Sequence, residues 1–180
     1  MNTTKWILDP AHSELNFRVK HLMITNVKGE FKRFQAEITG NDFESSKITA
    51  VVDTDSLSTN DEKRDAHLRS ADFFDVPNHN QITFEGKKVT KTGENTYKLT
   101  GILNIRGIPK EVTLDVEFGG INKDPWGNEK AGFSFTGKIN RKDWGLNWNA
   151  ALETGGVLVG DDVTIGGEVQ FVKQVVSQAA

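Results

Sequence analysis

The sequence has 180 residues, of which 36% are hydrophobic and 26% are charged, which excludes both a disordered chain and a protein built of membrane-spanning helices. Its formal net charge of −3 excludes the basic surface that a nucleic-acid-binding protein needs. It contains no cysteine, which excludes disulfide bonds, thiolate metal sites and cysteine nucleophiles.

Hydrophobic segments of the kind that enter membranes are missing from the sequence. No apolar run approaches the ~20 residues of a spanning helix, so we expect no stable membrane insertion. Residues 1–6 carry no apolar stretch of the kind found in signal peptides. We therefore expect a cytoplasmic protein, or a periplasmic one if a leader precedes Met1.

Alternation of apolar and polar residues with a period of two dominates the chain and predicts strands with one buried face. In the first such segment Leu15, Phe17, Val19 and His21 share one side. Counting these segments predicts eight strands, within residues 15–21, 34–38, 48–52, 82–84, 97–105, 112–118, 131–139 and 163–171.

Eight amphipathic antiparallel strands with short connections form either a closed barrel or a sandwich. Several segments have about nine alternating residues, or ~30 Å of strand, which favours a tilted barrel. The predicted fold class is therefore all-β, with an eight-stranded antiparallel barrel. We expect one domain over residues 1–173 and a frayed C-terminal tail over residues 174–180.

One segment interrupts the strand pattern. Residues 60–75 are predicted to form one or two short helices, with Thr59 as the N-cap and Glu62 completing a capping box. The adjacent Phe73 and Phe74 are expected to dock on the barrel or to cover one of its ends.

The charges of this segment allow two interpretations. Asp61 and Arg64 are i, i+3 neighbours on a helix, and Asp65 and Arg69 are i, i+4 neighbours. They form either surface ion pairs of small effect or, in the case of Arg64 or Asp65, a tie between the segment and a strand end.

Four glycines fall on the apolar side of long strands: Gly86, Gly101, Gly137 and Gly167. An eight-stranded barrel is just wide enough to be filled by side chains or to hold one ligand. The glycines therefore predict either a cavity in the lumen or simple curvature of the wall. An apolar cavity would bind a lipid tail well, because burying about fifteen carbons contributes roughly 12 kcal/mol before ordering costs.

Sequence motifs of enzyme chemistry are missing. No nucleophile elbow, phosphate-binding loop, dinucleotide fingerprint or zinc-binding histidine pair occurs. His12 and His21 are able to approach each other and bind a metal or a headgroup, although histidines that simply form hydrogen bonds are commoner. We expect no catalysis, no metal and no cofactor other than a bound lipid.

Several blocks follow one another along almost the whole chain: WILDPAHS at residues 6–13, FRVKH at 17–21, VKGEF at 27–31, RDAHLRSADFFD at 64–75, GILNIRG at 101–107, INRKDWG at 139–145 and GDDV at 160–163. Together they resemble the YceI-like family of polyisoprenoid-binding proteins. The resemblance implies an extended lipocalin-like barrel that holds a polyisoprenoid, an isoprenoid quinone precursor or a fatty-acid derivative in its lumen. It also implies a homodimer as one assembly state, since family members are often dimers.

The expected function is to store or carry a long-chain apolar lipid. The alternative is a barrel with a packed lumen that acts as a protein-interaction or stress-response module. Residues expected to contact the lipid are Phe17, Val19, His21, Leu68, Phe73, Phe74, Phe84, Gly101, Leu103, Ile105, Phe133, Phe135, Gly137, Trp144, Ile165 and Gly167.

Overall fold

A computed structural model of the chain describes residues 3–175, which form eleven strands, one α-helix and three short 3-10 turns. The helix is α1 (Glu62–Arg69), and the 3-10 turns are Pro10–His12, Thr54–Ser56 and Arg141–Trp144. The strands are β1 (Thr4–Leu8), β2 (Asn16–His21), β3 (Thr25–Phe31), β4 (Phe34–Thr39), β5 (Lys47–Asp53), β6 (Leu57–Ser58), β7 (Gln81–Lys91), β8 (Thr96–Ile105), β9 (Ile108–Lys123), β10 (Glu129–Asn140) and β11 (Val159–Val175).

The strands close into an eight-stranded antiparallel barrel, which confirms the predicted fold class. Its ring runs β1-β4-β5-β7-β8-β9-β10-β11, and β11 pairs back with β1. Strands β2, β3 and β6 continue the sheet from β11 beyond this ring. No helix within residues 3–175 is long and apolar enough to cross a membrane.

Beside β11, the wall of the barrel is built from two short strands in line, β1 and β2, with a break between them. The 17-residue β11 pairs with β1 through its C-terminal half and with β2 through its N-terminal half. In the same way β2 pairs with β3, and β1 pairs with β4. Each of the eight predicted segments coincides with a strand except at Leu15, which precedes β2, but the strands β1, β3 and β6 were not predicted.

The break between β1 and β2 is organised by Asp9. Its carboxylate accepts hydrogen bonds from the Ala11 backbone N–H (3.1 Å) and the Lys130 ammonium (2.6 Å), and it pairs with Nδ1 of His12 (2.9 Å). Lys130 first, and then His12, lowers the pKa of Asp9. His12 is thus bonded to a carboxylate at this break, whereas His21 lies at the end of β2 opposite Thr25.

The helical segment begins differently from the prediction. Asp61, not Thr59, is the N-cap of α1, and its carboxylate accepts a hydrogen bond from the Arg64 N–H (3.1 Å). The predicted capping box is therefore wrong. Thr59 is unavailable as a cap because its hydroxyl donates to Asp65. After α1 ends at Arg69, the chain forms turns rather than a second helix.

Buried polar contacts tie α1 to strand β6. The carboxylate of Asp65 is buried and accepts from the Thr59 N–H (2.8 Å) and the Thr59 hydroxyl (2.5 Å). Arg64 donates to the Thr59 carbonyl (2.8 Å), and Arg69 donates to the Leu57 carbonyl (2.9 Å). Arg69 pairs with Asp55 (3.1 Å) rather than with Asp65. The structure therefore supports the tie to a strand end, with only Asp61 and Arg64 as a helix-surface pair, at 4.0 Å.

At the C-terminus, Gln174 and Val175 belong to β11, where they pair with Lys5 and Thr4. These two residues were predicted to be frayed. The rest of the predicted tail, residues 176–180, lies outside the described residues.

We predict that Asp65→Ala lowers the free energy of unfolding by about 2–3 kcal/mol, because the Thr59 N–H and hydroxyl lose their buried acceptor. Urea unfolding followed by circular dichroism measures the change. The control is Glu62→Ala, at an exposed position of the same helix, for which we expect a change within about 0.5 kcal/mol. Equal effects of the two substitutions would contradict the tie.

We predict that Asp9→Asn lowers the free energy of unfolding by about 1 kcal/mol at neutral pH. The folded pKa of Asp9 lies below the ordinary value of 3.8, so its contribution is complete above the unfolded pKa and is lost as the pH falls through the folded pKa. The variant should therefore lose less stability than the parent protein between about pH 5 and about pH 2. Thermal melts across this range measure the difference. The control is Asp162→Asn, which removes an exposed ion pair with Lys138 and should leave the pH dependence of stability unchanged.

Candidate ligand-binding site

A cavity of about 520 Å³ occupies the barrel lumen, within the size range of small-molecule sites. It is lined along β11 from Val159 to Phe171, roughly 40 Å of strand at ~3.4 Å per residue. Its walls are almost entirely Leu, Ile, Val, Ala and Phe side chains that point inward from the strands. The cavity is thus long, narrow and apolar.

Twelve of the sixteen predicted contact residues line this cavity, and their contact with a ligand stays a prediction. The lining members are Phe17, Val19, His21, Leu68, Phe73, Phe74, Phe84, Leu103, Ile105, Phe133, Phe135 and Ile165. The four that do not line it are Gly101, Gly137, Gly167 and Trp144. Trp144 is instead fully buried in the wall, where its indole N–H donates to the Leu103 carbonyl (2.9 Å).

The strand glycines were predicted to give either a cavity in the lumen or curvature of the wall, and the first of these interpretations is wrong. A Cβ at Gly101 would lie 2.5 Å from both the Glu85 carbonyl oxygen and the ring of Phe84. A Cβ at Gly137 would lie 2.7 Å from a methyl of Leu114, and one at Gly167 would collide with the Glu14 carbonyl. At Gly86 a Cβ would lie 3.2 Å from the Cβ of Ile48. A neighbour therefore occupies or closely approaches the space above each of the four glycines. Alternation told which side these residues face but could not show what covers them.

Small residues at other positions of the barrel wall leave space for the cavity. Ala36 of β4 and Ala50 of β5 are directly opposite each other across the two strands, and both line the cavity. Larger side chains, such as Ile38 and Ile48, flank them on the same face. Both alanines lie within predicted strand segments, and the alternation of small and large inward residues along these strands is the sequence signal for the cavity.

Aromatic rings in mutual contact lie at the far end of the cavity. Phe43 packs against Tyr97 and Phe133, with 5.0 Å between ring centroids in each case. Phe43 and Phe133 line both the main cavity and a smaller pocket next to Trp6. They form the partition between the two.

The other end, which we call the helix end, is lined by Leu68, Phe73 and Phe74 from the helical segment. The ring of His67 packs edge-on against Trp148, at 4.6 Å between centroids, and its Nε2 pairs with Asp72 (2.9 Å). Phe73 and Phe74 were expected to dock on the barrel or to cover one of its ends. Both line the cavity, and their covering of this end stays a prediction.

Every ionisable residue that lines the cavity is basic or a histidine: Lys20, His21, Lys63, Arg64, His67 and Arg141. Within residues 3–175 no carboxylate lines it. Lys20 and Lys63 are exposed, and neither ammonium forms an ion pair in the described part of the chain. These two lysines are the charges available to a polar group at this end.

Arg141 is a structural group, because its donors are already used. Buried in the wall, it donates to the carbonyls of Leu146, Trp148, Val159 and Gly160. Burial lowers the pKa of its guanidinium, and Asp161 at 4.0 Å opposes that shift. Arg141 thereby holds the loop between β10 and β11 against the helix end of the cavity.

The chemistry that this arrangement supports is the burial of a long apolar chain. Within residues 3–175 no three His, Asp or Glu side chains come close enough together to hold a metal ion. The polar groups gather at the helix end, while the remaining length offers only van der Waals contact and removal of apolar surface from water.

We predict that Gly101→Ala destabilises the barrel by about 1–3 kcal/mol, because the new methyl group overlaps a carbonyl and an aromatic ring. The matched control is Gly132→Ala on β10, where a Cβ meets nothing within 4 Å. That control should change the free energy of unfolding by no more than about 0.5 kcal/mol. If Gly101→Ala were stable but lost its ligand, the result would contradict this prediction and would support the interpretation that these glycines leave room for the ligand in the lumen.

Comparison with known proteins agrees with this architecture. The YceI-like domain matches residues 6–171. The UPF0312 protein SA2479 of Staphylococcus aureus is 45% identical over 171 residues, covering 93% of this chain and 97% of that protein.

Solved structures show the same fold. The Campylobacter jejuni YCEI protein is 34% identical and superposes with a TM-score of 0.71, over 88% of this chain and 90% of that one. Burkholderia cenocepacia BcnA is 22% identical with a TM-score of 0.79, over 91% and 98% of the chains. A polyisoprenoid binding domain from Saccharophagus degradans is 16% identical with a TM-score of 0.68, over 94% and 98% of the chains. The domain match and the Staphylococcus relative together show that the chain belongs to the YceI-like family.

Proposed function

We propose that the barrel stores or carries a long-chain apolar lipid in its lumen and performs no chemistry on it. The observation that carries the proposal is the cavity itself, which is apolar along its length and follows β11 from Val159 to Phe171. A linear hydrocarbon chain fits such a shape better than a compact ligand. The finer proposal is a polyisoprenoid, an isoprenoid quinone precursor or a fatty-acid derivative, and the polyisoprenoid-binding domain with the same fold supports the first of these.

The energetics of burial favour such a ligand. About fifteen carbons at ~0.8 kcal/mol each contribute roughly 12 kcal/mol before the ordering of the chain is subtracted. The cavity volume of about 520 Å³ also argues against the alternative of a packed lumen. A packed barrel interior would leave few voids larger than a water molecule.

The orientation of the ligand follows from the distribution of charge. We propose that the tail lies along the lumen toward Phe133 and that any polar head lies at the helix end. Lys20 and Lys63 are the unpaired charges there, so a head that accepts hydrogen bonds or carries negative charge is favoured. The homodimer and the cytoplasmic location stay predictions from the sequence.

Extraction of freshly purified protein with organic solvent, followed by mass spectrometry, should release a long-chain lipid. The lipid should appear in stoichiometric rather than trace amount. Clean apo protein from several independent preparations would contradict the proposal.

We also predict that Ala50→Leu, alone or with Ala36→Leu, sharply lowers lipid occupancy in native mass spectrometry. Each substitution adds three carbons to the lumen, where they compete with the tail. Folding stability should hold or rise, because the added carbons are buried. The control is Ala66→Leu on the exposed side of α1, which should keep full occupancy. Unchanged occupancy in the double variant would place the lipid outside the lumen.

A further inference from the structure

The turn between β2 and β3 exposes three consecutive large apolar residues. Leu22, Met23 and Ile24, which we call the hairpin tip, are 40%, 57% and 75% exposed. The Leu22 N–H donates to the Leu158 carbonyl (2.9 Å), which joins the tip to the loop that carries the exposed Val157. Most other exposed apolar side chains of the described chain occur singly, which is normal, whereas this cluster is contiguous.

The backbone of the tip is unfavourable for the residues it holds. Leu22 and Met23 have φ values of 53° and 61°, in the left-handed region. Turns with two such residues are normally built from Asn and Gly, since bulky side chains are strained there. Folding alone would therefore favour a polar turn, and the apolar side chains point to a role outside folding.

Basic residues surround the tip without acidic partners. Arg18, Lys20 and Lys28 are exposed on this hairpin, and residues 15–29 contain no Asp or Glu. Arg18 is directly opposite Lys28, a pairing of like charges that destabilises a sheet. The acidic residues on the adjoining stretch of β11 are engaged elsewhere, Asp161 with Lys142 (3.3 Å) and Asp162 with Lys138 (3.7 Å).

The tip lies at the helix end of the cavity. Lys20 and His21, the last residues of β2 before the tip, line the cavity. So do Leu158, at the end of the adjacent loop, and Val159, the first residue of β11. His21 pairs directly with Val159. The exposed apolar side chains, the unpaired positive charges and the polar end of the cavity therefore meet at one place.

We propose that the hairpin tip docks on the surface of an anionic lipid bilayer and holds the helix end of the cavity against it. Apolar side chains at the tip enter the boundary between headgroups and acyl chains, while Arg18, Lys20 and Lys28 attract the negative surface. The purpose assigned to the contact, exchange of lipid between bilayer and lumen, rests on the proposed function. The docking itself does not depend on the proposed function.

The charges argue against a second copy of this chain as the occupant. A two-fold symmetric contact brings the same patch of both copies together, so Arg18, Lys20 and Lys28 would face the same residues of the other copy. Three side chains at a turn are also a small surface beside the roughly 800 Å² that each partner buries in a stable complex.

Co-sedimentation of delipidated full-length protein with vesicles tests the proposal. We expect binding to vesicles of phosphatidylglycerol and phosphatidylcholine in equal parts, weaker binding to phosphatidylcholine alone, and a loss of the difference at high salt. The variant Leu22→Asn/Ile24→Thr keeps Met23, whose sulfur packs over Gly156, and relaxes the backbone at residue 22. Its melting temperature should hold or rise while its vesicle partition falls roughly tenfold or more.

Two further variants separate the contributions. Arg18→Gln/Lys28→Gln should lower binding to the anionic vesicles roughly tenfold and leave binding to phosphatidylcholine unchanged. Trp126→Ala is the control, because Trp126 is 83% exposed in the β9–β10 turn, beside the opposite end of β11. It should change vesicle binding by no more than about twofold.

Unchanged binding by the Leu22→Asn/Ile24→Thr variant, or binding lost in Trp126→Ala, would overturn the proposal. So would a tip variant that abolishes a dimer in sedimentation velocity without affecting vesicle binding. Clean apo protein that still binds vesicles through its tip would defeat lipid storage and leave docking intact. Lipid-loaded protein without affinity for either kind of vesicle would contradict docking and leave lipid storage intact.

Discussion

The length of β11 is the constraint on which the rest of the structure depends. One side of this strand pairs with β10 from Asp162 to Val172, and the other side pairs first with β2 and then with β1. The short strands β1 and β2 lie in line, and together they cover a length of β11 that neither would cover alone. Asp9 and Lys130 form an ion pair at the break between them, and β2 continues the wall past the closed ring. The cavity follows β11 along this extension as far as Val159.

The blocks that carry the family resemblance supply part of the cavity lining, but several of their polar side chains hold the frame of the barrel. Asp9 orders the break between β1 and β2, Asp65 and Arg69 fasten α1 to β6, and Arg141 holds the β10–β11 loop. Each of these polar side chains needs specific hydrogen-bond partners. The spacing of such residues along the sequence is therefore recognisable as a motif. The lumen needs only apolar residues of suitable size. A family motif of this kind therefore specifies the barrel more sharply than it specifies the ligand.

Much of the fold could be predicted from the sequence because alternation records which side of a strand is buried, and all eight predicted segments are strands. The rest depends on contacts between distant residues. In β3, Val27 and Phe31 are separated by a glycine over which the ring of Phe17 lies, so the local pattern was too weak to reveal a strand. Thr59 resembles a cap until Asp65 takes its hydroxyl. The inward glycines resemble vacancies until the rings and carbonyls that cover them are known.

The same burial that would hold a lipid also limits how it can leave. A chain of about fifteen carbons loses roughly 12 kcal/mol of apolar burial if it passes through water, which makes free diffusion of the cargo very slow. Direct contact between the cavity end and a bilayer removes that barrier, because the tail then passes between two apolar surroundings. An apolar cluster with unpaired positive charges beside the polar end of the cavity meets this requirement. The strained turn at Leu22 and Met23 is then explained by transfer rather than by folding.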